Sequence, residues 1–156
     1  MVGYAALTHP TIYLLIYMLN HPGFWIFLGA AIGGLCRFTL AGSFRTFTRL
    51  PGWVPILIAN ILGSFLIGLL YVVLQDSAVN IQLGNSKLTT PMLYALGITG
   101  FCGGLTTYST FSLDNVFLIY EKQWLALSIN LIGSITLCLL AVHLGISLFN
   151  ISEGVK

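Results

Sequence analysis

Apolar residues run along this chain in long uninterrupted blocks rather than in the short alternating stretches of a soluble fold. A membrane-spanning helix takes about 20 apolar residues. The block from Phe24 to Phe44 predicts a first span, with Arg37 near its end and Arg45 and Arg49 just beyond. Trp53 to Leu74 predicts a second, in which Asn60 is the one strongly polar residue. Asp76 to Lys87 reads as a polar linker, and Trp124 to Phe149 as a last span after a turn at Glu121 and Lys122. Near the N-terminus, Thr11 to Leu19 is too short to span and stops at Asn20-His21-Pro22-Gly23. It lacks the positive leading segment of a signal peptide. Residues 1–22 therefore read as an interfacial or frayed extension, 23–150 as a four-helix transmembrane domain and 151–156 as a tail.

The third apolar block, Leu88 to Tyr120, is longer than one straight span needs. At its centre stands Gly100-Phe101-Cys102-Gly103-Gly104-Leu105-Thr106-Thr107-Tyr108-Ser109-Thr110-Phe111, rich in glycine and hydroxyl residues that form helix poorly. The pattern predicts a helix, a non-helical break in mid-membrane, and a second helix. Irregular backbone survives at that depth only where it is buried or lines a cavity. Such breaks recur at ion and substrate sites, where freed carbonyls and helix ends do the coordinating.

Composition removes the other classes. Hydrophobic residues make up 57% of the 156 and charged residues only 6%, against roughly 25% charged in a soluble domain. A net charge of +2 spread over the chain offers no nucleic-acid patch. Cys36, Cys102 and Cys138 have no metal-ligand spacing and read as small apolar residues. No HExxH, GxSxG, P-loop or paired-carboxylate pattern is present, so the chain does not read as an enzyme.

Four spans place both termini on one side with Lys87 and Lys156, and put Arg45, Arg49 and Lys122 on the other, with Arg37 just inside. Positive charge decides orientation, and here the difference is small. Insertion in both directions, and hence an antiparallel dual-topology dimer, is the expectation. Gly29 and Gly33, and Ser64 and Gly68, are small-residue pairs four apart that allow close helix approach, either between copies or within one.

Polar positions in the spans carry two readings each. Asn60 is either helix-helix glue or a donor facing a solute. Asn130, Ser134 and Cys138 follow at intervals of four and share a face. Tyr108 and Phe111, three apart, also share a face, and aromatic ring edges carry partial positive charge; packing against lipid is the plainer reading. Arg37 is either a snorkelling residue or an attractor at a vestibule. His143 reads as a packed or interfacial histidine. Spans one, two and four contain no carboxylate, whereas proton-coupled exporters carry one in the membrane. A small-anion pathway in an oligomer suits these residues.

Three segments, in order, resemble the Fluc (CrcB) fluoride channel family. Gly103-Gly104-Leu105-Thr106-Thr107-Tyr108-Ser109-Thr110-Phe111 is similar to the family's GGxTTFSTF signature. Ala59-Asn60-Ile61-Leu62-Gly63-Ser64-Phe65-Leu66-Ile67-Gly68 resembles its VNxxGSFxxG stretch, and Gly33-Gly34-Leu35-Cys36-Arg37-Phe38 its GAxxRY segment. The resemblance covers residues 24 to 149. It implies a multi-pass protein of the cell membrane, working as an antiparallel homodimer with two fluoride pores that export fluoride passively. It implies a fluoride pathway through Asn60, Tyr108, Ser109, Thr110 and Phe111, with Asn130 and Ser134 on the fourth-helix polar track and Arg37 at the vestibule. It also implies a structural Na+ at the dimer centre, held by backbone carbonyls of Gly103 and Thr106. Two departures stand out: Tyr108 replaces a phenylalanine, and Pro55-Ile56 replaces Gly-Thr. These also suit a subunit of an obligate heterodimer with a degenerate pore. A small dual-topology drug exporter is the other alternative, opposed by the missing acid in the first span.

Overall fold

The computed structural model describes residues 10–47, 50–76, 81–83, 86–88 and 90–154. Arg49 and Lys156, used above for orientation, lie outside the described residues, as do residues 1–9 of the N-terminal extension. The elements are α1 (Pro10–Asn20), α2 (Pro22–Phe47), α3 (Val54–Asp76), β1 (Ile81–Leu83), β2 (Ser86–Leu88), α4 (Thr90–Leu93), α5 (Gly103–Leu105), α6 (Tyr108–Tyr120) and α7 (Trp124–Gly154), with a π-helical stretch, Tyr94–Cys102, joining α4 to α5.

Among the described residues three helices are long and apolar enough to cross a membrane: Pro22–Phe44, Val54–Gln75 and Trp124–Leu148. The third apolar block forms no single helix of that length. It winds as α4, the π stretch and α5 up to Leu105, extends at Thr106 (φ −80°, ψ 155°) and Thr107 (φ −152°, ψ 124°), and resumes as α6. The polar linker carries a short ribbon. There β1 and β2 pair antiparallel, Ile81 opposite Leu88 and Leu83 opposite Ser86, so among the described residues the fold is all-α apart from this small ribbon.

The helices pack as two close pairs, α2 on the Tyr94–Leu105 segment and α3 on α7, with α6 lying on α7. Small residues set both contacts. A Cβ on Gly29 would collide with the Leu96 carbonyl, and one on Gly33 with the Phe101 carbonyl. On the other pair, Gly68 meets the Val142 carbonyl and Gly145 that of Phe65. Gly29, Gly33 and Gly68 of the small-xxx-small pairs are therefore occupied within the chain, by backbone-to-backbone approach. Wide π winding is normally confined to single turns at functional sites; here it occupies the segment held against α2.

The turn between α6 and α7 is a Schellman cap. Gln123 N–H donates to Leu118 O (2.9 Å) and Lys122 N–H to Ile119 O (3.0 Å), with Lys122 at φ 57°. This left-handed residue reverses the chain and brings α7 back along α6. At the other end, α1 is joined to α2 through His21, whose Nδ1 accepts from Gly23 N–H (3.1 Å), and through Trp25, whose indole N–H donates to Leu19 O (2.8 Å).

Candidate functional site

The break between α5 and α6 is built on one side chain of α3. Thr107 N–H donates to Asn60 Oδ1 at 2.8 Å, and Asn60 Nδ2 donates to Thr107 O at 3.3 Å. In a continued helix Thr107 N–H would have bonded to Gly103 O, four residues back. Asn60 takes that donor instead. One turn on, Thr110 N–H donates to Thr107 Oγ1 (3.3 Å), the N-cap of α6, and so leaves Thr106 O outside the helical ladder. The carbonyls of Gly103 and Thr106 thus lose their helical donors to side-chain oxygens. Thr106 Oγ1 donates back to Cys102 O (3.0 Å), and its methyl group sits where a Cβ on Gly63 would lie, so glycine is required there.

Around this break lies an open groove of about 480 Å³. Asn60, Ser64 and Ile67 of α3 form one wall, at helical spacing. Leu131, Ser134, Ile135 and Cys138 of α7 form the other, and Thr106, Thr107, Tyr108 and Phe111 form the floor. The groove is apolar, with a few amide and hydroxyl groups set into it, and none of these lining residues is charged. The Tyr108 and Phe111 rings lie side by side, centroids 5.9 Å apart and planes at 42°. Tyr108 is 81% exposed in the single chain. The N-terminus of α6 opens beside it, and its unbonded amide groups carry the positive end of the helix dipole.

Of the residues singled out in the sequence, Asn60, Thr106, Tyr108, Phe111 and Ser134 share this groove. Ser109 and Thr110 do not line it; both hydroxyls turn to Thr107 Oγ1, at 3.1 and 3.3 Å. Asn130 is not in the wall either. It is 2% exposed, donates through Nδ2 to Asn115 Oδ1 (2.8 Å) and accepts from Ser134 Oγ through Oδ1 (3.3 Å). Gly103 stands beside open space, with nothing within 4 Å of a Cβ placed on it. Arg37 is half-buried on α2 and away from the groove lining. Pro55 and Ile56 are buried and also outside it, so the missing threonine hydroxyl removes nothing from the groove of the single chain.

Two residues escaped the sequence reading. Thr107 was legible as an N-cap, a threonine directly before a helical run. Asn115 follows Phe111 by four residues and so lies on the same side of α6.

The profile of the family described as "CrcB-like protein, Camphor Resistance (CrcB)" matches residues 24–146. The chain is 38% identical over 123 residues (76% of this chain, 87% of the relative) to a protein from Paramagnetospirillum magneticum. It is 34% identical over 124 residues (78% and 92%) to one from Magnetococcus marinus, and 32% identical over 131 residues (84% and 94%) to one from a Nitratiruptor species. Each of these relatives is named a fluoride-specific ion channel.

Proposed function

The chain belongs to the CrcB family of multi-pass membrane proteins, whose named relatives are ion channels and not enzymes, and on that premise we propose that it is a fluoride channel whose path follows the groove at the Thr106–Thr107 break. The observation that carries the reading is the groove itself: a nearly apolar passage with neutral donors at intervals and a helix N-terminus at its floor. Fluoride is small and strongly hydrated, and leaves water only where hydrogen-bond donors replace its shell. Asn60 Nδ2 keeps one N–H beyond its bond to Thr107, Ser64 and Ser134 add hydroxyls, and the rings of Tyr108 and Phe111, whose edges carry partial positive charge, line the passage. Ser109, Thr110 and Asn130 support the path from behind, through Thr107 and Ser134. Arg37 draws anions toward the mouth. A carboxylate would repel fluoride, and the groove lining contains none.

The functional unit in this reading is an antiparallel pair of identical chains, each with residues 23–150 as its channel domain and residues 1–22 on the membrane surface. The weak charge bias supports it, as does the groove's open side at Tyr108, which a second copy closes. The Tyr94–Leu105 and α6 segments together make the third of four crossings. A sodium ion fits the centre of such a dimer. The carbonyls of Gly103 and Thr106 are hard oxygen ligands released from the helical ladder at the negative end of a helix. When bound there, sodium draws the two broken segments together without a buried carboxylate. The chain lies in the cell membrane and lowers cytoplasmic fluoride by passive efflux.

Ion efflux from liposomes holding the purified chain alone tests the reading. Fast fluoride loss with chloride retained is expected. Well-folded protein that passes no fluoride overturns it, and points to an obligate second chain. Replacing sodium by a bulky organic cation is expected to lower the thermal stability of the assembled protein.

A further inference from the structure

The joint between α1 and α2 fixes how α1 leaves the bundle. Of the α1 side chains described, Tyr13, Leu14, Tyr17, Met18 and Asn20 are exposed and Leu19 is half-buried. A cleft of about 450 Å³ lies at the joint, lined by Tyr17 and Met18 of α1 and by Phe24 and Phe27 of α2. His21 directly precedes α2, and its Nδ1 accepts from the N–H of Gly23, the second residue of that helix, at 3.1 Å. That is the side-chain bond of a helix N-cap. Pro22 fills the first helical position, where a missing N–H costs nothing. A second tie runs from the Trp25 indole N–H to Leu19 O at 2.8 Å.

We propose that this joint is a pH-sensitive hinge, set while His21 is neutral and loosened when it is protonated. A neutral imidazole has one bare nitrogen, and here it is Nδ1, facing Gly23 N–H, with the proton on Nε2. An imidazolium donates from both nitrogens and accepts at neither. Its Nδ1–H would meet Gly23 N–H donor against donor, so the ring leaves the cap. The positive end of the α2 dipole opposes the new cation as well. Among the described residues no carboxylate offsets these losses. Tyr17 faces the ring, centroids 6.0 Å apart. The other titratable groups on α1, on α2 up to Arg37 and on the α4 and π-helical segments packed against α2 are Tyr13, Cys36 and Tyr94, and Arg37 is the first charge along them. The cap is therefore present above the range in which histidine changes charge, roughly pH 5 to 8, and is lost as the pH falls through it. The Trp25 tie and the backbone bond from Phe24 N–H to His21 O (3.1 Å) do not titrate. The helices stay joined in acid, but the angle between them is no longer fixed. The surface helix and its cleft thus answer to the acidity of the membrane face on which they lie.

Distances between two nitroxide labels on the full-length chain in liposomes test the hinge. Leu14→Cys and Leu28→Cys place the labels on exposed positions of α1 and α2. Cys36→Ala and Cys138→Ala remove the other accessible thiols, and Cys102 is buried. Labelled chain is diluted with unlabelled chain, so that only distances within one copy are read. With His21 in place, a single narrow distance is expected at about pH 8 and a broad distribution at about pH 5. The ratio of the narrow to the broad population is expected to fall about fivefold, the scale of one helix cap. His21→Asn caps through an amide oxygen that takes no proton, and is expected to stay narrow at both pH values. His21→Ala has no cap and is expected to be broad at both. His21 is exposed, so neither change disturbs the packed bundle. A distribution that does not change with pH when His21 is present overturns the proposal. So does a pH-dependent one in His21→Asn, or a narrow one in His21→Ala. Conduction is not read in this experiment, so failure of the hinge leaves the channel reading standing.

Discussion

Asn60 and Thr107 stand 47 positions apart in the sequence, yet the side-chain amide of one takes up both backbone polar groups of the other, Oδ1 accepting at 2.8 Å and Nδ2 donating at 3.3 Å. The amide substitutes for the helical partners that Thr107 lacks. It also explains why the helix can stop at Leu105 inside an apolar bundle, where unpaired backbone would be prohibitive. Glue and donor, the two readings the sequence left open for Asn60, are therefore compatible, because the glue uses only one of the two Nδ2 protons.

Replacing Asn60 should expose both roles. Asn60→Asp keeps an acceptor for Thr107 N–H but places a negative charge beside the groove, so fluoride flux is expected to fall by at least tenfold while the chain still assembles. Asn60→Leu removes the clamp and is expected to cost about 1–3 kcal/mol of stability for the orphaned Thr107 groups. Liposome efflux with thermal unfolding in detergent checks both. Undiminished flux in Asn60→Asp would remove Asn60 from the path.

The two aromatic rings of the groove should respond differently to change. Phe111→Ile keeps bulk but removes a ring edge, and flux is expected to drop several-fold with assembly intact. Tyr108→Phe is expected to be tolerated, with flux within about twofold, if the ring edge is the working part. A dead Tyr108→Phe channel would assign the work to its hydroxyl.

Lys122 occupies the left-handed position of the cap between α6 and α7. That conformation costs a non-glycine residue about 1–2 kcal/mol, whereas glycine gives back about 0.5–1 kcal/mol in chain entropy. Lys122→Gly is thus expected to stabilise the protein by about 0.5–1 kcal/mol, and Lys122→Val to destabilise it. Unfolding midpoints of the purified variants measure the sign.

Glycines on one helix should diverge sharply. A methyl group on Gly33 meets the Phe101 carbonyl, so Gly33→Ala is expected to cost about 1–3 kcal/mol, as overpacking does. On the same helix Gly42 has nothing within 4 Å of the added atom, and Gly42→Ala is expected to gain up to about 1 kcal/mol from helix propensity. Equal effects at the two sites would mean that α2 does not press backbone-to-backbone on the Tyr94–Leu105 segment.

Much of this architecture is legible in the chain by itself, because a bilayer leaves the sequence few options. Backbone groups must be satisfied within each span, so long apolar runs can only be helices. The bounds read for α2, α3 and α7 fall within a few residues of those in the structure. Gly100 to Phe111 was equally legible as poor helix, since glycine and hydroxyl residues weaken a helix wherever they fall. The sequence did not say where within those residues the helix stops. That was decided at Thr106 and Thr107 by Asn60, a partner from a distant part of the chain.

Which polar residues share a groove was likewise a tertiary outcome. The intervals of four among Asn130, Ser134 and Cys138 put them on one helical face, but a face is wide enough to hold both a wall and a buried seam. The arrival of Asn115 from α6 took Asn130 into the seam and left Ser134 and Cys138 in the wall. Gly29 and Gly33 carried a signal for close helix packing without its partner, because a small residue permits an approach from any backbone. The Leu96 and Phe101 carbonyls answered it. Sequence alone determined what each segment must be in a membrane, since hydrophobicity and helix propensity act locally. Only the tertiary structure decided which hydrogen-bonding groups face the groove and which face one another, because each has a choice of partners that the local chain does not contain.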